Sequence, residues 1–176
     1  MSVDEAGFYQ LPAAVRTWAP QGETPELRAP LNYGQPFDHL GHRAGISGAA
    51  QAGKLYMLAR EQPTDGKEVV SFLRHVLREV SGKPAIHRRT SSSPGKAADG
   101  FLREGASRRL HLEQLPGYAP DLNPDEGVWN YLKNVEMKNL CCQGLDHLKT
   151  ELRKAKEQLR HKTQIIKRFF REVGLV

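Results

Sequence analysis

The segment LPGYAPDLNPDEGVWNYLK, residues Leu115 to Lys133, contains the residues best suited to chemistry. Asn123 can act as a helix N-cap, Pro124 suits the first helical position, and Glu126 falls at the third. This spacing predicts a helix that starts with a capping box and places a carboxylate beside the end of a strand, where α/β sheets build their sites. The competing interpretation is that Glu126 only caps its helix, since capping boxes are common.

The helix that follows is predicted to have two faces. Helical spacing turns Trp129 and Leu132 toward the core, and it places Glu126, Asn130 and Lys133 together on another face. The carboxylate of Glu126 would therefore have an amide and a cation as neighbours.

Two other groups of residues have side chains that could do chemistry. The adjacent Cys141 and Cys142 lack His or Cys partners at metal-ligand spacing, so we expect ordinary buried thiols in a reducing compartment. His87 and the Ser91–Ser93 run suggest nucleophilic catalysis, but no nearby acid would orient the histidine. A solvated loop is the better interpretation of that stretch.

The composition predicts a soluble globular protein with a basic C-terminal third. Of the 176 residues, 39% are hydrophobic and 26% charged, and no apolar stretch has the length of a signal core or a membrane helix, so a cytoplasmic location without membrane contact is expected. The net charge is +6, and residues 127–176 hold eleven Lys and Arg against five Asp and Glu. That surplus suggests a polyanion partner, although a charged helix is more often only a solvated face.

Strand patterns come first and alternate with helices later, which predicts a mixed α/β domain. The stretch 82–95 is basic and Ser-rich and shows no clear strand pattern. The last helical region is predicted to run from Leu145 to about Arg171, with Leu148, Leu152, Leu159, Ile166 and Phe170 on its apolar side. The other predicted elements are strands at Phe8–Leu11, Val15–Trp18 and Leu110–Leu115, a hairpin of Ala44–Ala49 with Lys54–Arg60, and helices at Lys67–Val80, capped by Thr64 or Asp65, from near Ala97 to Arg109, and from near Pro124.

The segment around Glu126 closely resembles the signature of the last catalytic acid in insertion-sequence transposases of the mariner superfamily, which carry the DDE endonuclease domain. VDEAGF, from Val3 to Phe8, resembles the first-acid motif of that family. Further segments resemble the family in the same order along the chain: LPAAVRTWAPQGETPELRAPL, GISG, GKLYMLAREQ, VVSFLRHVLREV and FLREGASRRLHLEQ.

The resemblance implies a ribonuclease-H-like fold, a mixed sheet flanked by helices, acting on DNA. Three acids of the family hold two divalent metals, normally Mg²⁺ and alternatively Mn²⁺, that stabilise the attacking and leaving oxygens at phosphorus. By this resemblance Asp4 is the first acid and Glu126 the last. Without the flanking VDEAGF, Asp4 would be interpreted as a surface acid at a chain end.

The sequence departs from the family at the second acid. That residue should be an aspartate ending a strand after the Lys67–Val80 helix, yet no Asp or Glu occurs between Glu79 and Asp99. Alignment from Glu126 lands near Thr90 and Ser91, and alignment on Ile86-His87-Arg88 lands near Gly82. Asp99 is a weak substitute because it is predicted to lie on the following helix.

A second departure concerns the first strand. Only Met1 to Val3 precede Asp4, so the central first strand is expected to be largely missing, together with the upstream helix-turn-helix region of such transposases. Unpaired backbone groups in the middle of a sheet cost about 1–3 kcal/mol each when buried. The sequence therefore predicts a truncated and marginally stable fold.

Three functions follow as hypotheses. The first is a transposase catalytic domain that cleaves DNA and transfers strands with Asp4 and Glu126 as metal ligands. The second is an inactive remnant that binds DNA phosphates without base specificity, and the third is an interaction module built on the C-terminal helix. Residues 1–140 are assigned to the endonuclease domain and 141–176 to a basic helical extension of it, and a homodimer is expected. The predicted DNA contacts are Asn130, Lys133, Lys154, Lys156, Arg160, Lys167 and Arg168.

Overall fold

The computed structural model describes residues 2–10, 13–28, 39–46, 54–60, 66–80, 83–89, 94–116 and 119–175. Five strands and five α-helices lie within these ranges, with short 3-10 turns at Ala106–Arg108 and Pro120–Leu122 and a π-helical turn at Leu132–Glu136. In chain order the elements are β1 Ser2–Tyr9, β2 His39–Ile46, β3 Leu55–Arg60, α1 Gly66–Glu79, β4 Ala85–Arg89, α2 Pro94–Arg103, β5 His111–Leu115, α3 Pro124–Tyr131, α4 Leu145–His161 and α5 Thr163–Glu172.

The strands form one mixed sheet in the order β3-β2-β1-β4-β5, with β1 at its centre. β2 runs antiparallel to both β1 and β3, whereas β1, β4 and β5 are parallel to one another. The mixed sheet flanked by helices that the sequence predicts is therefore observed.

Helices cover both faces of the sheet, and each face has its own core. Because side chains alternate along a strand, Val3 packs with α1 and α2, in a cluster that includes Phe72 and Ile86. Phe8 packs on the opposite face with α3, α4 and α5, where its ring meets Trp129 edge-on at 6.1 Å. Asp4 is separated from Phe8 by four residues and therefore faces the α3 side.

The expectation that the central first strand is largely missing is wrong. β1 has eight residues and pairs with β2 along its whole length, from Ser2 opposite Ile46 to Tyr9 opposite His39. Asp4 lies inside this strand and not at its end, because the extended backbone continues through Phe8. The pairing of β1 with β4 is short and joins Ser2 to His87 and Val3 to Arg88.

Two other strand predictions are also wrong. Val15–Trp18 forms no strand, and the N–H of Val15 instead donates to Oδ1 of Asn139 at 2.7 Å. Conversely, β4 lies within the stretch 82–95 that showed no strand pattern. Its sequence AIHRR lacks apolar alternation, and backbone pairing with β1 and β5 on its two sides sets its conformation.

The long helix predicted from Leu145 to Arg171 is two helices, α4 and α5, which meet at Lys162. Lys162 has a non-helical backbone (φ −95°, ψ 58°), and its Nζ lies 2.6 Å from Oε1 of Glu136 and 3.2 Å from the hydroxyl of Tyr131. The predicted apolar residues of both helices are buried in the core that also holds Phe8 and Trp129. The division of the domain at residues 140 and 141 stays a prediction.

The remaining predicted elements agree with the structure in outline. The Lys67–Val80 helix is α1, the Leu110–Leu115 strand is β5, and the predicted hairpin corresponds to β2 and β3 with β2 starting earlier. Thr64 and Asp65 lie outside the described residues. Within the described part of the chain, no helix is both long and apolar enough to cross a membrane.

Candidate active site

A small group of buried polar residues lies between β1 and the start of α3. Its members are Ser2 and Asp4 on β1, Asn123 before α3, and Asp125 in the first turn of α3. Asp4 is 8% exposed and Asp125 is fully buried. Buried polar groups are costly unless they are hydrogen-bonded, so this cluster is the polar feature of the core that most needs an explanation.

Asn123 connects the two elements through its side-chain amide. Its Nδ2 donates to Oδ2 of Asp4 at 2.8 Å, and its Oδ1 accepts the hydroxyl of Ser2 at 2.9 Å. The same Oδ1 accepts the backbone N–H of Asp125 at 3.2 Å. One side chain thus ties the strand that carries Asp4 to the helix that carries Glu126.

The local sequence explains how α3 begins at this place. Asn123 has an extended backbone (φ −106°, ψ 103°) and caps α3, and Pro124 occupies the first helical turn, as predicted. The N–H of Glu126 donates to the carbonyl of Asn123 at 3.1 Å. The backbone N–H of Asn123, which a capping box would offer to Glu126, donates to the carbonyl of Pro120 at 2.9 Å. The N-cap is therefore confirmed, and Glu126 is a half-buried carboxylate of the first turn.

Asp125 and Ser2 are members of the site that sequence reasoning missed. Both carboxyl oxygens of Asp125 lack a hydrogen-bond partner among the described residues, since the single hydroxyl proton of Ser2 goes to Asn123. Burial raises the pKa of Asp125 well above its ordinary value, and the charges of Asp4 and Glu126 add to this effect. A hydrogen bond from the Ser2 hydroxyl would lower that pKa, but the hydroxyl donates to Asn123 instead, so the raised pKa stands. The only signal in the sequence was the position of Ser2, two residues before Asp4 and so on the same face of β1.

Lys133 lies near the carboxylate of Glu126 and the ring of Phe8. Its Nζ is 5.3 Å from the centroid of the Phe8 ring, a cation–π contact, and the side chain is half-buried. Burial lowers the pKa of Lys133, and the negative charge of Glu126 opposes that shift. The structure therefore brings Lys133 and Glu126 together, as their helical spacing predicted, next to the strand that carries Asp4.

The end of β4 lies next to the strand that carries Asp4. The pairing of β4 with β1 joins Ser2 to His87 and Val3 to Arg88. The two positions at which the sequence aligns the family's second acid, near Thr90 and Ser91 or near Gly82, lie outside the described residues. Asp99 lies on α2 and is exposed, which agrees with its prediction as a helical residue.

The carboxylate oxygens of Asp4 and Glu126 are of the kind that a divalent cation such as Mg²⁺ or Mn²⁺ prefers, with water and phosphate completing its coordination. They do not by themselves supply the three acids of a two-metal site. Among the residues that the structure describes, no group of three or more His, Cys, Asp and Glu side chains is arranged to hold a metal. The donor set fits one cation better than two.

The predicted DNA contacts are spread over α3, α4 and α5. Asn130 is exposed on α3, where its Oδ1 accepts the amide of Asn134 at 2.6 Å. On α5, Lys167 is half-buried, and Arg168 forms an ion pair with Glu172 at 2.8 Å.

The three predicted contacts on α4 divide between two sides of that helix. Residues two positions apart are turned about 200° from each other, so Lys154 lies away from Lys156 and Arg160. Lys154 pairs with Glu151 at 2.6 Å, and Arg160 pairs with Glu157 at 2.7 Å. Exposed pairs of this kind contribute little to stability, so both cations can exchange their partner for a phosphate.

The structure buries one of the two cysteines. Cys142 is fully buried, as predicted, and burial raises the pKa of its thiol, whereas Cys141 is only half-buried. The prediction that His87 lies in a solvated loop is wrong, because backbone pairing with β1 and β5 places it in β4, and Ser91–Ser93 fall outside the described residues.

Comparisons with known proteins identify the family and the fold of the chain. A family model described as DDE superfamily endonuclease matches residues 1–149. No curated protein matches the sequence. The structure is similar to a Mos1 strand transfer complex, with a TM-score of 0.66 and 12% identity over 98% of this chain and 50% of that chain.

Two further Mos1 structures give similar values. A Mos1 transposase paired-end complex with the left transposon end has a TM-score of 0.65 and 12% identity over 98% of this chain and 51% of that chain. A Mos1 mariner paired-end complex with Mn has a TM-score of 0.63 and 11% identity over the same shares. At such identities the likeness shows the fold alone, and the chain spans about half the length of the Mos1 chains. Together with the family match over residues 1–149, these findings show that the chain belongs to the DDE superfamily endonucleases.

Proposed function

We propose that this chain is the catalytic domain of a transposase, which cleaves DNA and transfers strands with the help of a divalent metal at Asp4 and Glu126. The observation that supports the proposal is the link through Asn123, which ties the strand of Asp4 to the helix of Glu126 within one buried polar cluster. Membership of the DDE superfamily endonucleases supports the same reaction class.

The residues of the site have distinct tasks in this proposal. Asp4 and Glu126 would hold Mg²⁺ or Mn²⁺, and the bound cation would stabilise the negative charge that develops on the phosphate oxygens. Lys133 would contact a neighbouring phosphate, because its ammonium group lies beside Glu126 and on the ring of Phe8. The polar cluster behind the carboxylates would keep them in place during the reaction.

DNA is the proposed partner. The solved structures similar to this chain include complexes of Mos1 with transposon ends, and residues 127–176 carry a surplus of six positive charges. Phosphate contacts by Lys and Arg supply affinity without reading the base sequence. Assembly of two copies around DNA, as a homodimer, is part of the proposal.

A second candidate function is a DNA-binding remnant that does not cut. The observation that favours it is the sequence between Glu79 and Asp99, which contains no Asp or Glu where the family places its second acid. Positioning and electrostatics supply nearly all of the catalysis in phosphoryl transfer. Loss of one carboxylate would therefore lower the cleavage rate by orders of magnitude.

Nicking of supercoiled plasmid by the purified chain in Mg²⁺ or Mn²⁺ separates the two candidates. Asp4→Asn and Glu126→Gln are the test variants, and Asp121→Asn, an exposed acid just before α3, is the matched control. Nicking that both test variants abolish and the control retains would support the catalytic domain. Salt-sensitive DNA binding without nicking would support the remnant.

Asp99→Asn completes this experiment. If the wild-type chain nicks DNA and this variant does not, Asp99 supplies the third carboxylate despite its exposed position on α2. Nicking that survives Asp4→Asn and Glu126→Gln would contradict the proposed site, and absence of both nicking and DNA binding would contradict both candidate functions.

A further inference from the structure

We propose that Asn123 is a positioning residue that holds the carboxylate of Asp4 in the orientation needed to share a metal with Glu126. The inference rests on the proposed function, because it assigns the metal to those two acids. Asn123 itself contacts neither DNA nor the metal in this proposal, and it acts through Asp4 and through the start of α3.

The hydrogen bonds fix which way the amide points. The backbone N–H of Asp125 can only donate, so the atom of Asn123 that faces it at 3.2 Å must be the oxygen. The nitrogen then faces Oδ2 of Asp4 at 2.8 Å, where a carboxylate can only accept. A flipped amide would break both contacts, which makes this orientation the only one that satisfies the site.

The hydroxyl of Ser2 adds a third constraint. It donates to Oδ1 of Asn123 at 2.9 Å from the same face of β1 as Asp4. Two residues of β1, Ser2 and Asp4, therefore bond the side-chain amide of Asn123. Asn123 is 2% exposed and Ser2 is fully buried, so water cannot substitute for these bonds at low cost. The orientation of Asp4 is therefore coupled to the position of the first turn of α3, which contains Glu126.

Groups that hold metal ligands in place contribute strongly to metal affinity. Loss of such a partner typically lowers metal affinity or activity by about 10- to 100-fold. A residue that only caps a helix would instead change stability and leave the affinity of a folded protein for metal unchanged. Metal affinity measured alongside melting temperature separates the two roles.

Asn123→Ser is the variant that tests the inference. Serine caps helices about as well as asparagine, so the bond to the N–H of Asp125 can persist, but its side chain lacks the amide that reaches Asp4. Asn134→Ser is the matched control, since Asn134 is exposed in the π-helical turn after α3. Asn123→Ala removes both the cap and the amide, and Ser2→Ala removes only the support of the amide.

The measurement is the dissociation constant for Mn²⁺, determined by calorimetry on the whole chain, together with the melting temperature. We expect Asn123→Ser to raise the dissociation constant at least tenfold at a temperature where its melting curve shows that the chain is still folded. Unchanged Mn²⁺ affinity in folded Asn123→Ser would overturn the positioning role and leave the proposed function intact.

Absence of Mn²⁺ binding by the wild-type chain would overturn the metal site and the positioning role together. If Asn123→Ser does not fold, Ser2→Ala decides the matter. A several-fold weaker Mn²⁺ affinity in folded Ser2→Ala would support the role of the amide, and an affinity equal to that of the wild type would refute it.

Discussion

Replacing Gly127 by alanine tests how closely α3 approaches α5 next to the proposed site. A Cβ atom built on Gly127 would lie 2.6 Å from Cδ1 and 2.8 Å from Cγ of Phe169, and 3.2 Å from its Cβ. Carbon atoms do not approach to 2.6 Å without displacement, and these atoms belong to the base of a buried ring. Since Phe169 is only 7% exposed, either its ring or the whole of α3 would have to move.

Two opposing effects determine the magnitude. Forcing an extra methyl group into a packed core costs about 1–3 kcal/mol, and two contacts below 3.0 Å favour the upper part of that range. Alanine is a better helix former than glycine by about 1 kcal/mol, which offsets part of the cost. We expect Gly127→Ala to lower the free energy of unfolding by about 1–2 kcal/mol.

Gly100→Ala is the matched control. Gly100 lies in α2, and a Cβ there would meet nothing within 4 Å. Only the helix propensity remains, so this substitution is expected to stabilise the chain by about 0.5–1 kcal/mol. Both values follow from urea denaturation monitored by circular dichroism, with the slope of the transition checked for change.

The prediction is decided by the sign of the change in unfolding free energy that each of the two substitutions causes. Stabilisation by Gly127→Ala equal to that by Gly100→Ala would refute the close packing of α3 on α5. A second check is Phe169→Ala, which removes the ring atoms that clash. In that background, Gly127→Ala should be neutral or stabilising, with a coupling free energy of about 1–3 kcal/mol between the two positions.

Three further predictions concern charge. Asp125→Asn should raise the free energy of unfolding at pH 7 in metal-free buffer. Because the folded state holds the proton of Asp125 more tightly than the unfolded state, the wild-type chain loses stability as the pH rises from about 4 toward the raised pKa. An equal difference in unfolding free energy between variant and wild type at pH 3 and at pH 7 would contradict this. Lys156→Gln combined with Arg160→Gln should weaken binding to plasmid and reduce the salt dependence of log K by about two, and an unchanged slope would exclude these residues as phosphate contacts. Lys162→Met should lower the melting temperature at pH 7, because it leaves the mostly buried carboxylate of Glu136 without its cation at 2.6 Å, whereas equal melting temperatures would show that this ion pair does not stabilise the junction of α4 and α5.

The sequence alone determined the features that depend on neighbours along the chain. The start of α3 follows from Asn123 and Pro124, and the buried sides of α1, α4 and α5 follow from apolar residues at helical spacing. A cap and a helical stripe are defined within a few residues, so no knowledge of the fold is needed to predict them. The resemblance to a transposase family predicted the mixed sheet, the two acids and the DNA partner. Of these three predictions, the family match and the Mos1 structures support the mixed sheet.

Only the tertiary structure decided the features that depend on distant pairing. β4 has no strand pattern of its own, and it forms because β1 and β5 supply backbone partners on both sides. Asp125 is buried and Asn123 is bonded to Asp4 because α3 packs over the middle of β1, across more than a hundred residues of chain. A local sequence pattern does not predict contacts between residues so far apart in the chain, because each residue fits the pattern of its own element whichever partner it meets.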